Sequence, residues 1–223
     1  MIITLDGPSG TGKSTIAKLV ADQLGLSYFD TGAMYRGFAW FLLNRNIDIK
    51  DLPTIEAALP DFKFIVQDLP TGKRYFVGNT DVSEQIRSKE ITDIVSPVSA
   101  LKVVRGLLSQ TQRDYGMKGN ALFEGRDLGT VIFPYAEVKI FLTARADVRA
   151  TRRYKELLAK NPSLDLTEES ILESINKRDE FDSTREIAPL KCPPDAHIVD
   201  TSDLTIDQVV EEILNYVKTK KHL

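Results

Sequence analysis

Residues 1–15 read Met1-Ile-Ile-Thr-Leu-Asp6-Gly7-Pro8-Ser9-Gly10-Thr11-Gly12-Lys13-Ser14-Thr15. The apolar start predicts a short strand through Asp6, and an amphipathic helix follows Thr15. Between them, Gly7, Gly12, Lys13 and Ser14 fit the spacing G-x-x-x-x-G-K-[ST] in the strand–loop–helix setting its chemistry needs. Glycines let a backbone wrap a phosphate so that its amides converge on the oxygens, and the helix N-terminus behind them adds partial positive charge. Lys13 is placed to reach β- and γ-phosphates and Ser14 to ligate Mg²⁺. Gly7 to Thr15 therefore read as a nucleoside-triphosphate site, here called the P-loop.

The rest of the composition narrows the setting. A chain of 223 residues is long enough for one domain with a sizeable core and a small inserted module. A formal net charge of −3, with no continuous basic run, argues against a nucleic-acid partner. No apolar stretch approaches the length of a membrane span, and the N-terminus lacks a secretory pattern. Cys192 is the one cysteine, so no disulfide framework or cysteine metal cluster is expected. The expected setting is cytoplasmic, and the default state is a monomer.

Working outward from the P-loop, Ile16, Leu19, Val20 and Leu24 recur at helical spacing before the stop at Gly25. Leu26 to Phe29 reads as a second strand. Asp30 or Thr31 then caps a helix to about Asn44 with Met34, Phe38, Phe41 and Leu42 inward. Thr31, Tyr35 and Arg36 crowd its first turn, just past a strand's C-terminal end, where open parallel sheets bind ligands. Residues 60–82 alternate as strands around the turn signal Pro70-Thr71-Gly72, which predicts a small antiparallel insert. A helix is expected from Ser83 to near Ser96-Pro97, and another from about Ala100 to Tyr115.

Ala121 to Phe123 predict a buried strand delivering Glu124-Gly125-Arg126-Asp127, a charged turn that is either salt-bridged or facing a charged ligand. Val138 to Leu142 form another buried strand, followed by a helix with Arg149, Arg152, Arg153 and Lys155. That basic face is either solvated or a lid over phosphates, at about 147–165. Thr167 to about Phe181 read as a polar helix, Ala196 to Asp200 as the last strand. The capping-box pair Thr205 and Gln208 opens a final helix with Ile206, Val209, Ile213 and Val217 inward. Alternating strands and helices give an α/β, three-layer fold with a central parallel five-stranded sheet flanked by helices. The expected organisation is a single domain, with its core at 1–59 and 83–223.

Asn176-Lys177-Arg178-Asp179 matches the guanine-reading spacing N-K-x-D, but no apolar strand precedes it and no switch motif accompanies it, so the match reads as accidental. Histidine is nearly absent, with His197 in a strand and His222 in the tail. Phosphoryl transfer needs little beyond positioning and charge neutralisation. Arg36, Arg105, Arg126, Arg178 and Arg185 lie at strand ends or on helices that could serve one cleft.

Four segments taken together, Asp6 to Thr15, Asp30-Thr-Gly-Ala-Met-Tyr-Arg36, Glu124-Gly-Arg-Asp-Leu-Gly-Thr130 and Arg178-Asp-Glu-Phe-Asp-Ser-Thr-Arg-Glu-Ile-Ala-Pro189, resemble the bacterial-type cytidylate kinases, which are nucleoside monophosphate kinases. The resemblance runs from the first strand to the last helix. It implies transfer of a phosphoryl group from ATP to CMP or dCMP with Mg²⁺. Gly7, Pro8, Ser9, Gly10, Thr11, Gly12, Lys13, Ser14 and Thr15 would hold ATP, with Ser14 as metal ligand. Lys13, Arg36, Arg126 and Arg153 would carry catalysis, the first three by gripping the phosphate being extended. Thr31, Arg105, Asp127 and Arg185 would read the base beside Tyr35, and Ser96, Arg178 and Asp182 would hold the sugar. The chain departs from the family pattern in Glu124, where aspartate is often found, in Thr31, where serine is often found, and in Pro97 beside Ser96. A P-loop kinase for UMP or a small metabolite, or a nucleotide-dependent switch, remains open from the sequence alone.

Overall fold

A computed structural model describes residues 1–69 and 72–220. Pro70 and Thr71 of the expected turn, and His222, lie outside the described residues. In chain order the elements are β1 (Ile2–Asp6), α1 (Lys13–Leu24), β2 (Ser27–Asp30), α2 (Thr31–Asn44), α3 (Leu52–Ala58), β3 (Phe64–Leu69), β4 (Gly72–Val77) and β5 (Thr80–Asp81). They continue with α4 (Lys89–Ala100), α5 (Lys102–Gly116), β6 (Ala121–Gly125), β7 (Val138–Thr143), α6 (Ala146–Lys160), α7 (Glu168–Thr184), β8 (His197–Asp200) and α8 (Ile206–Lys220). Two compact units result: Met1–Phe29 with Tyr115–Leu223, and Asp30–Asp114. None of the described helices is long and apolar enough to cross a membrane.

The first unit is built on the five-stranded sheet, ordered β2-β6-β1-β7-β8, with β1 parallel to both β6 and β7 and β7 parallel to β8. Because β1 lies mid-sheet, the loop after it opens at the strands' C-terminal edge, beside the loops after β6 and β7. Alternation along β1 sends Ile3 and Leu5 to one face, where Ile16, Ala17, Val20 and Ala21 of α1 and Val209, Val210, Ile213 and Val217 of α8 cover them. On the other face Phe123 packs against Phe133 and Phe29, with centroids 4.5 and 5.5 Å away. Each fully buried aliphatic side chain here contributes about 1.5–3 kcal/mol.

Leu19, which shares the helical spacing of Ile16 and Val20, is 36 % exposed. One inward assignment is corrected. Ile206 is 52 % exposed, one turn ahead of the covered stripe of α8. The capping box at that end is present: Thr205 N–H donates to Gln208 Oε1 at 2.8 Å, and Gln208 N–H to Thr205 Oγ1 at 3.3 Å.

The second unit sets α2 against α4 and against the antiparallel sheet β3-β4-β5. Aromatic rings fill its core: Phe62 lies edge-on to Phe38 at 4.9 Å, and Phe64 stacks on Tyr75 at 5.9 Å. Gly37 is needed there, because a Cβ would stand 2.7 Å from the Phe64 ring. The helix expected from Ser83 instead begins at Lys89, capped by Ser88 Oγ, which accepts from Ile91 N–H at 3.3 Å. Ser83 is already committed, accepting from Tyr75 N–H at 2.9 Å and donating to Asp81 at 2.6 Å. Nor does α4 stop at Pro97; it continues to Ala100, with Pro97 leaving the Asp93 carbonyl without its helical donor.

Candidate functional site

The P-loop's glycines each answer a steric demand. A Cβ on Gly7 would stand 2.1 Å from the Leu142 carbonyl oxygen, so only glycine lets the loop leave β1 beside β7. Gly10 and Gly12 have φ of 81° and 90°, which side chains rarely adopt. Loop carbonyls are committed to protein donors: Pro8 accepts from Thr11 Oγ1 at 3.2 Å, Ser9 from Arg149 at 2.9 Å, and Thr11 from Thr201 Oγ1 at 3.2 Å. That is the orientation of a loop whose amides serve an anion. Behind it α1 starts at Lys13 with Gly12 as N-cap and no side-chain cap, so the helix N-terminus faces the loop uncovered by a side chain.

Lys13 is buried and donates to the Pro8 carbonyl at 2.6 Å. Burial first, and then the nearby Arg126 and Arg178 charges, hold its ammonium well below the ordinary lysine range. Arg178 is pushed down to about 10, chiefly by burial and then by Arg126. One buried carboxylate serves both arginines. Asp182 Oδ2 lies 3.2 Å from Arg126 Nε and 3.9 Å from Arg178 Nε, and Arg178 Nε itself is buried with no hydrogen-bond partner. Three cations thus crowd one region beside the P-loop, and that is the electrostatics of a site completed by an anion.

Glu124 shows what the charged turn does. Register places it beside Leu5, on the α1 side of the sheet, where it accepts from Ser14 Oγ at 2.7 Å and Tyr28 Oη at 2.7 Å. Sequence reasoning quoted Glu124 within a motif but left it out of the site; a carboxylate ending a buried strand next to the P-loop strand was the available signal. A hydroxyl and a carboxylate form the hard-oxygen pair that suits Mg²⁺. Among the described residues no group of three or more His, Cys, Asp or Glu side chains could hold a metal ion. Further along the same turn, Asp127 Oδ1 pairs with Arg185 at 3.2 Å, and Arg185 Nε donates to the Ala188 carbonyl at 2.8 Å.

The arginines expected on the basic face of α6 take different partners. Arg149 is buried and donates to the Ala144 carbonyl at 3.0 Å, to Ser9 in the P-loop, and to Asp179 of α7 at 2.6 Å. Arg152 turns to Thr201, donating to its Oγ1 at 3.0 Å and its carbonyl at 2.5 Å. Arg153 stays half-exposed and pairs with Glu156 at 2.7 Å. The Asn176–Asp179 match lies within α7, and its aspartate is the partner of Arg149.

In the second unit Asp30 caps α2, accepting from Ala33 N–H at 2.8 Å, and takes Arg87 at 2.7 Å. Arg36 donates to Thr92 Oγ1 at 2.9 Å and to the Ile86 carbonyl at 3.2 Å. Arg105 is buried, donates to the Ser99 carbonyl at 3.1 Å, and stands 5.6 Å over the Tyr35 ring. Thr31 is buried in the first turn of α2, and Ser96 is half-buried on α4. The structure therefore joins Arg126, Arg178 and Asp182 beside Lys13, pairs Asp127 with Arg185, and pairs Tyr35 with Arg105.

The family model described as cytidylate kinase matches residues 3–219. The chain belongs to the cytidylate kinase family. It is 52 % identical to the cytidylate kinase of Protochlamydia amoebophila, covering 99 % of each chain, and 44 % identical to that of Fusobacterium nucleatum, covering 99 % of this chain and 96 % of the other. Among solved structures, an uncharacterised protein of Eubacterium ventriosum is similar in fold alone, at 11 % identity and a TM-score of 0.52 over 98 % of each chain. As a cytidylate kinase family member, the chain carries Lys13, Arg126, Asp127, Arg178, Asp182 and Arg185 on its first unit. Thr31, Tyr35, Arg36, Ser96 and Arg105 stand on its second.

Proposed function

We propose that the protein transfers the γ-phosphoryl group of ATP to CMP or dCMP, giving ADP with CDP or dCDP, as a cytoplasmic monomer without nucleic-acid or membrane partners. The observation that carries this reading is the crowding of Lys13, Arg126 and Arg178 beside an uncapped helix N-terminus, with the Arg178 Nε–H left over. Cations that depress one another's ionisation are stabilised when phosphate oxygens arrive, so nucleotide binding restores charges that burial penalises.

Each residue then has a stated task. The P-loop amides and Lys13 hold the donor's phosphates, and Arg36 and Arg126, with Lys13, hold the acceptor's. Arg153 adds charge neutralisation from α6. Mg²⁺, held by Ser14 with Glu124 beside it, supplies charge neutralisation to the donor phosphates when bound. Arg178, Asp182 and Ser96 hold the sugar. Cytosine presents an amino donor with acceptors at N3 and O2, so Asp127 opposite the donor and Arg185 or Arg105 opposite an acceptor disfavour uracil, with Thr31 and Tyr35 completing the base contacts. The attacking phosphate oxygen is already ionised near neutral pH, so positioning and charge stabilisation suffice without a histidine base.

Acceptor-dependent ADP release from ATP and Mg²⁺ tests this with CMP, dCMP, UMP, AMP, GMP and no acceptor. Turnover concentrated on CMP and dCMP is expected. Turnover that does not depend on a nucleoside monophosphate would refute the reading.

A further inference from the structure

Asp6 ends β1, one residue ahead of the P-loop, and is 1 % exposed. Alternation turns it away from Leu5 and α1, to the face where the turn after β6 packs. There Oδ1 accepts from Leu128 N–H at 3.0 Å and Oδ2 from Gly129 N–H at 2.8 Å. These amides begin the π-type turn Leu128–Ile132, whose N-cap is Asp127 and which has no side-chain cap of its own. A side chain 122 residues earlier supplies the cap instead. Room for a second device is absent: a Cβ on Gly129 would stand 2.9 Å from Pro193 and 3.0 Å from Thr4 Oγ1.

We propose that Asp6 is a positioning residue for the acceptor nucleotide: by gripping two successive amides with its two oxygens, it fixes the turn carrying Arg126 and Asp127 against the root of the P-loop. The inference rests on the cytidylate reading of that turn and adds the residue that sets its geometry. Both oxygens are needed as acceptors, which only the ionised carboxylate supplies fully; a protonated acid turns one oxygen into a donor facing an N–H. Charged and titratable neighbours come from three other segments: Arg126 and Asp127 from the turn, Lys13 from α1, and Cys192 from the segment before β8. Burial is the largest influence and lifts Asp6 to about 7, against the lowering effect of its two amide bonds, so the grip engages across the neutral range.

Asp6→Asn keeps the shape, retains one acceptor and sets an amide N–H against a backbone N–H. The KM for CMP should rise about 10–100-fold, the loss expected for one charge-assisted hydrogen bond, with the KM for ATP within about twofold. The ratio of wild type to Asp6→Asn in kcat/KM for CMP should also rise with pH through about 7. The ionisation of CMP itself, with a second phosphate pKa near about 6, is common to both proteins and cancels in that ratio. Equal loss toward both nucleotides, or an unchanged KM for CMP, would overturn the proposal. A variant that does not fold leaves the wild type to decide: the amide proton shifts of Leu128 and Gly129, followed by NMR without nucleotide, should titrate together near pH 7. Shifts that stay flat from about pH 5.5 to 8.5 would overturn it. Titrating amides in a protein that does not phosphorylate CMP would refute the kinase reading instead, so the two failures are distinct.

Discussion

Lys13 concentrates the logic of the site in one side chain. Its ammonium is buried, held by a carbonyl and depressed by two arginines, and so stands in an unfavourable environment that only an anion relieves. A group whose charge is most stabilised when the phosphoryl group carries most charge acts on the rate more than on binding. Lys13→Ala should therefore lower kcat by about 10²–10³-fold. Steady-state kinetics at saturating ATP and CMP would check this, and near-normal turnover would remove Lys13 from the chemistry. The motif that contains it was legible from spacing alone, because a P-loop is local and its glycines, lysine and serine sit within eight residues. Glu124 was not legible in the same way, since its hydrogen bond from Ser14 joins positions 110 residues apart.

At the scale of elements, α6 and α7 are tied to the P-loop through Arg149, which reaches Ser9 and Asp179 from a buried position. Arg149→Met would leave the Ser9 carbonyl without this donor and Asp179 without its charge partner. The expected cost is about 2–4 kcal/mol, below that of a fully enclosed pair because Asp179 keeps some contact with water. Denaturant unfolding measures it, and the KM for ATP should rise as well. Periodicity located most of the helices and strands, including α2 with its Asp30 cap and α8 with its capping box. It failed where distant partners decide. Ser83 could not start a helix because Asp81 and Tyr75 claim it, and the partners of Arg149 could not be read from the α6 stripe because they lie 140 and 30 residues away in sequence.

For the molecule as a whole, the buried Asp6 links stability to pH. Burial raises it from 3.8 to about 7, so the folded chain keeps this proton where the unfolded chain has released it. Its contribution to stability is complete below about pH 3.8 and is lost as pH rises through about 7. The Tm of wild type relative to Asp6→Asn should accordingly fall between about pH 4 and 8, as read by thermal melts across that range; a flat difference would contradict the assignment. The order of alternating strands and helices, and the family, were readable end to end because the four quoted segments span both compact units. Which charges neutralise which was not, because Arg126 with Asp182 and Asp127 with Arg185 are pairings that only the folded sheet edge creates. Those pairings bear on the central claim, that a carboxylate set by an arginine selects cytosine. The most direct measurement is the CMP-to-UMP ratio of kcat/KM in wild type beside Asp127→Asn, whose amide can donate to the uracil carbonyl. The account predicts at least about a tenfold fall in the ratio, and an unchanged ratio would contradict it.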